Sequence, residues 1–167
     1  MKTLFISDMH FGHQNIIQYE NRPFNNVDEM DKEMIKSWNK VVHSNDTVWF
    51  LGDLSCHRSK KYMKKVMKKL KGHKKMIMGN HDRWTIQTYL NIGFEYVSKY
   101  PIVLKEHFIL SHSPIHTLKD TDNFFNIYGH VHGSNNYPTH TANSQCVCVE
   151  RQNYQPIEIE EFNHYNI

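Results

Sequence analysis

"KKMIMGNHD", residues 74–82, joins an apolar run to a glycine, an amide, an imidazole and a carboxylate. "KKMIM" reads as a short buried strand. A plain turn behind it would need only Gly79-Asn80. His81 and Asp82 exceed what a turn requires. Asn80 and His81 are either turn residues or reagents, and the rest of the chain has to decide.

The same arrangement recurs. "KTLFIS" (2–7) runs into Asp8 and His10, and "TVWFL" (47–51) into Gly52-Asp53. "HFILS" (107–111) is followed by His112, and "NIYG" (126–129) by His130 and His132. Each pair alone is compatible with an ordinary strand end. In open α/β sheets, however, the carboxyl ends of the strands share one edge, and ligands bind there. Five loops would bring two Asp, one Asn and four His to one place. His130 and His132 point to the same side of an extended segment. Seven donors exceed the four of a tetrahedral zinc site. They suit two divalent ions sharing one carboxylate, about 3.5–4 Å apart, a pair that holds hydroxide at neutral pH and stabilises oxygens on phosphorus.

The remaining pattern sets the fold class. Gln14–Tyr19 reads as a short helix stopped near Pro23. From Val27 to Val42 the apolar residues recur at helical spacing, with Asp28, Glu29 and Asp31 where the helix dipole favours acids. Ser59–Lys71 is helical again, with Gly72 as its expected C-cap, and "TIQTYLNIG" (85–93) predicts one more helix. Beyond it, "FEYVSKY", "PIVLK" and "HFILS" follow one another closely and read as antiparallel strands. "NIYGH", "QCVCVE" and "PIEIE" add three. Alternating strand and helix in the first half favours parallel pairing, and the strand-rich second half favours hairpins. The expectation is an α/β (α+β) fold with mixed sheets, in a single domain over residues 1–167.

Composition narrows the class. Apolar residues make up 39% of the 167 and aromatic residues 13%, enough for one core and too many for a disordered chain. No apolar run reaches membrane-spanning length. The N-terminus lacks a signal-peptide pattern, so the expected setting is cytoplasmic. Cys56, Cys146 and Cys148 form no disulfide framework and no zinc spacing; Cys146 and Cys148 read as strand packing. Thirteen histidines without a tract raise the prior for metal chemistry. From Leu54 to His81 there is no acid, but there are Arg58 and nine lysines, while the rest carries 10 basic and 17 acidic residues. The lysine face of 60–71 is expected to be mainly solvated, with nucleic acid as a weaker reading.

The blocks "SDMH", "LGD", "GNHD", "SHSP" and "GHVH", in that order from Asp8 to His132, resemble the calcineurin-like metallophosphoesterases. "DMHFGHQNII", "RPF" and "WNKV" further resemble a small bacterial and phage branch of that superfamily. The resemblance implies two stacked mixed β-sheets flanked by helices, a metallophosphoesterase-like αββα sandwich. It also implies that one ion is held by Asp8, His10, Asp53 and His132, and the other by Asp53, Asn80, His112 and His130. Asp53 is then the bridge, and His81 the acid that protonates the leaving oxygen. Asp82 would orient that ring or cap the next helix.

His13, His57 and Arg58 are further candidates for contacting phosphate. "GDLSCHR" lacks the "GDxxDRG" context of protein phosphatases, which turns the reading away from protein substrates. The short chain leaves little for a cap over the site. The function expected is hydrolysis of phosphate esters, most often diesters or nucleotides, with Mn as the ion supporting activity in vitro and Fe, Ni or Zn also suited to the donors. A nuclease on single-stranded or terminal nucleic acid is the alternative within that class. A non-catalytic metal-binding scaffold is the alternative outside it, and would be expected to have lost His81 or a ligand.

Overall fold

A computed structural model describes residues 1–56, 59–116, 123–160 and 162. The first half alternates strand and helix: β1 (Thr3–Ile6), α1 (Ile16–Tyr19), α2 (Val27–Val41), β2 (Thr47–Phe50), α3 (Lys60–Lys69), β3 (His73–Ile77), α4 (Ile86–Ile92) and β4 (Tyr96–Ser98). The strands pair in parallel in the order β1-β2-β3-β4, with Leu4 opposite Val48 and Trp49 opposite Lys75. Parallel neighbours need a crossover, and the helices supply it. Asn26, Ser59 and Thr85 cap α2, α3 and α4 by accepting from the backbone N–H of Glu29, Tyr62 and Thr88.

Strand periodicity divides the core in two. Leu4, Ile6, Val48, Phe50 and Met76 face the helices and meet Met34, Trp38, Met63, Val66 and Ile92. Phe5, Trp49, Leu51 and Ile77 face the other way, onto Phe108, Leu110, Phe125 and Ile127 of a second sheet. That sheet contains β5 (Ile102–Leu104), β6 (Phe108–Leu110), β7 (Phe125–Tyr128), β8 (His140–Thr141) and β9 (Ser144–Cys146), in the order β5-β6-β7-β9-β8. Its outer pairs are antiparallel and its inner pairs parallel. The expected stack of two sheets with flanking helices is what forms. The exposed lysines of α3 lie opposite a buried stripe of Met63, Val66 and Met67.

Four local expectations are corrected. "FEYVSKY" is not antiparallel to its successors: Tyr96–Ser98 returns through α4 and pairs parallel with β3. Gly72 does not cap α3; Leu70 does, in an extended conformation, and Gly72 turns the chain at φ 82°. "QCVCVE" leaves the second sheet after Cys146. Val147 donates to the Tyr128 carbonyl and accepts from Ser7 N–H (2.8 and 2.9 Å), so one residue is bonded to both sheets, and a 3-10 turn at Val149–Arg151 follows. "PIEIE" contributes only an antiparallel bridge between Ile157 and Phe5. The segment at Val147 already occupies the edge of β1 beyond Phe5, and Pro156 has no N–H to extend the ladder.

Phe5 is fully buried between the sheets, with its ring 5.0 Å from that of Phe162. Phe5→Ala should cost about 3–5 kcal/mol. Val103→Ala, at a half-exposed position of β5, should stay within about 0.5 kcal/mol. Urea unfolding of both variants checks this, and equal midpoints would overturn the two-sheet core.

Candidate metal centre

All the expected donors lie just past strand ends at one edge of the fold. Asp8 and His10 follow β1, Asp53 follows β2, Asn80 and His81 follow β3, His112 follows β6, and His130 and His132 follow β7. Ten described non-glycine residues have positive φ, and five of them are donors: Asp8, His10, Asp53, His130 and His132, at 48–73°. Such backbone costs about 1–3 kcal/mol per residue and persists where the surroundings enforce it. Two glycines show the crowding. A Cβ on Gly79 would run into the Asp53 carboxylate and the His112 ring, and one on Gly129 into Ser7 and Asp8.

The donors form two groups that meet at Asp53. In the first, Asp8 Oδ2 accepts from Ser7 Oγ (2.5 Å), His130 N–H (2.8 Å) and the Cys148 thiol (3.3 Å). Its Oδ1 has no hydrogen-bond partner and lies 3.7 Å from His132 Nε2. His10 Nε2 is also buried without a partner, 3.5 Å from Asp53 Oδ2. In the second group, His112 Nε2 is 3.7 Å from the same Asp53 oxygen, 2.8 Å from Asn80 Oδ1 and 3.1 Å from His130 Nδ1.

The donor chemistry fits a cation in both groups. His112 Nδ1 lies 2.9 Å from the Leu51 carbonyl, which can only accept, so Nδ1 carries the hydrogen. Nε2 then faces the Asn80 oxygen at 2.8 Å, and a cation bound between the two would draw on both atoms. Orphaned buried polar atoms such as Asp8 Oδ1 carry a desolvation cost that a bound ion would remove. Burial, then His132 and Arg22, hold His10 down at about 2, so it is neutral as a ligand must be. Burial also raises Asp53, with Asp8 adding to it and His112 opposing. Burial alone would lower His132, but the Glu150 hydrogen bond and Asp8 outweigh it and lift the ring to about 9.

Two supporting residues, Glu150 and Arg22, were not found from sequence, and Asp82 and Cys148 were read with other roles. Glu150 Oε1 lies 2.9 Å from His132 Nδ1 and fixes that ring with Nε2 toward Asp8. The buried Arg22 holds Glu150 (2.6 Å) and donates to the backbone carbonyls of Asp8 and Met9, tying the Asp8–His10 loop to His132. Arg22 had a signal in "RPF"; Glu150, 18 residues past His132, had none. Asp82 neither orients His81 nor caps α4, which Thr85 does. Its carboxylate accepts from the N–H groups of Asp53 (2.7 Å), Gly79 (2.8 Å) and Leu54 (3.2 Å) and from Tyr89 Oη (3.2 Å). Burial pushes it up to about 6 against those donors, so at neutral pH it is an ionised acceptor that locks two loops together. Cys148 also exceeds strand packing, since its thiol reaches Asp8.

Of the substrate candidates, His13 is half-buried, its ring 5.5 Å from His10, with Nδ1 buried and unpartnered. His57 and Arg58 lie outside the described residues. His81 is exposed at the mouth, its N–H on Asp53 Oδ1 (2.8 Å) and its Nε2 4.0 Å from Oδ2.

Protonated His132 must lose its proton to bind an ion. Affinity for divalent ions should therefore rise with pH, by about tenfold per unit for one released proton, and level off above about 9. Calorimetric titration between pH 6 and 8.5 in buffers of different ionisation enthalpy reads both the slope and the proton. A flat profile would remove His132 from the donors.

Comparison with known proteins identifies the family. The model of the calcineurin-like phosphoesterase family matches residues 1–163. An uncharacterised protein of Methanocaldococcus jannaschii is 36% identical over 166 residues, covering 95% of this chain and 88% of that protein. The gene 66 protein of Mycobacterium phage L5 is 38% identical over 82 residues, 48% of this chain and 39% of its own. A solved structure of a protein of unknown function from Aquifex aeolicus superposes with a TM-score of 0.72 at 27% identity, over 96% of this chain and 97% of that one. With the fold, the ordered donor blocks and the family match in agreement, the chain belongs to the calcineurin-like phosphoesterases.

Proposed function

We propose that the protein is a binuclear phosphodiesterase acting on nucleotides or small diesters in the cytoplasm. Its family is one of metal-dependent phosphoester hydrolases. The observation that carries the two-ion reading is Asp53 Oδ2, which lies between His10 Nε2 of one donor group and His112 Nε2 of the other. Asp8, His10, Asp53 and His132 would hold one ion; Asp53, Asn80, His112 and His130 the other. Two divalent ions there, Mn being the first to try and Fe, Ni and Zn the others, would neutralise phosphoryl charge and make water a nucleophile at neutral pH.

The remaining chemistry belongs to side chains. Water oxygen joins phosphorus, the bond to the leaving oxygen breaks, and that oxygen needs a proton. His81 would deliver it, a role supported by a ring exposed at the mouth, 5.3 Å from the ring of His10, and a backbone pinned to Asp53. Cleavage of nucleic acid is a second reading. Its support is the lysines of α3, exposed and unpaired with any acid among the described residues.

Reconstitution with Mn followed by metal analysis should approach two ions per chain, and Asp53→Asn should lower that number. Saturation near one, unchanged in Asp53→Asn, would overturn the shared carboxylate. For His81→Ala, two ions should remain. Activity on alkyl esters should fall by about 10²–10⁴-fold, and on a nitrophenyl ester, whose leaving group needs no proton, much less. Equal losses in kcat/KM on both would make His81 a phosphate-positioning residue.

A further inference from the structure

Two cavities lie beside the loops that carry the candidate donors. One, of about 340 Å³, is lined by Tyr19, Glu20, Asn21, Gly133 and Ser134 and includes Val131, the residue between His130 and His132. The other, of about 430 Å³, includes Asn80 and His112. A monoester has one substituent to house and a diester two, so the pair suits a diester. The two differ in chemistry. The cavity at Asn80 offers Ile77, Met78 and Pro101, with Lys99 as its charged residue and no Phe, Tyr or Trp. The cavity at Val131 is polar and has an aromatic ring, that of Tyr19, in its lining.

We propose that the Tyr19 cavity is the subsite for the nucleoside arm of the substrate, and that the base it fits best is guanine. This rests on the phosphodiesterase reading and specifies which arm goes where. Tyr19 is 67% exposed, a costly position for a large ring with nothing to cover it. One edge contact, at 6.2 Å, sets it against His13, which leaves ring surface open for stacking. A base on an aromatic face is a common mode of nucleic-acid recognition, tolerant of sequence. Glu20 supplies the selectivity. Its carboxylate lies in the same cavity, 3.4 Å from Gly133 N–H, and can only accept. Guanine presents two adjacent N–H donors, N1 and N2, which match one carboxylate; uracil presents one, flanked by carbonyls that would oppose it. His13 lies between Tyr19 and His10 and so links this cavity to the donor loop of β1.

The test compares two esters that share a leaving group and differ only in the other arm: guanosine 5′-(p-nitrophenyl) phosphate and methyl p-nitrophenyl phosphate. Tyr19→Ala should lower kcat/KM for the guanosine ester about tenfold more than for the methyl ester, and Tyr19→Phe should restore the difference. In the metal-free protein, guanosine 5′-monophosphate should shift the amide signals of Val131 and Gly133, and Tyr19→Ala should abolish the shift. Equal losses on both esters, or shifts at Met78 and Ile115 instead, would overturn the subsite. A uridine ester cleaved as well as the guanosine ester would overturn the base assignment. If the wild type cleaves neither ester with any divalent ion, the phosphodiesterase reading fails, and the nucleotide titration still decides whether the subsite exists.

Discussion

The Asp82 carboxylate is the fixed point of this molecule. It gathers N–H groups from the ends of β2 and β3, at Asp53, Leu54 and Gly79, and adds the Tyr89 hydroxyl from α4. Two parallel strands leave their carboxyl ends side by side, but nothing in a β ladder fixes what their loops do next. Asp82 fixes it. Gly79 can pass close enough to Asp53 only because it has no Cβ, and that closeness puts His81 N–H on the Asp53 carboxylate. A buried anion is tolerated because its oxygens are met by polar hydrogens.

The donor atoms behave in the opposite way. Asp82 is satisfied, while Asp8 Oδ1 and His10 Nε2 are not. Supporting bonds hold the unsatisfied atoms in place: Glu150 on His132, the Leu51 carbonyl on His112, Ser7 and Cys148 on Asp8. Five donors sit on left-handed backbone. Strain and lone pairs that remain unmet are what a fold accumulates where it is preorganised for a ligand.

Much of this was legible in the sequence, because strand ends followed by Asp, Asn or His form a pattern that needs no tertiary knowledge. The strand–helix alternation gave the parallel sheet for the same reason. What was illegible depends on distant partners. Glu150 matters only because the chain turns sharply after Val147 and returns to His132. "PIEIE" has strand periodicity, but its partner strand is already paired at the neighbouring residue. Asp82 looked local and is not: three of its four bonds reach beyond its own turn, to β2's loop and to α4. "FEYVSKY" was misread because short spacing suggests hairpins, whereas α4 had already reversed the chain.

Val147 has a consequence for how the protein is made. β1 is synthesised well before Val147 and Ile157, the residues that close one of its edges. Until they arrive, a strand of Leu4, Phe5 and Ile6 has unpaired backbone on that side, the kind of edge that invites pairing with another chain. The candidate donors of the Asp8–His10 loop therefore lie beside a seam that closes only after most of the described chain has been made. A nascent chain that already holds Asp8 and Asp53 lacks the candidate donor His132 and its partner Glu150 beside them until Val147 draws the second sheet against β1.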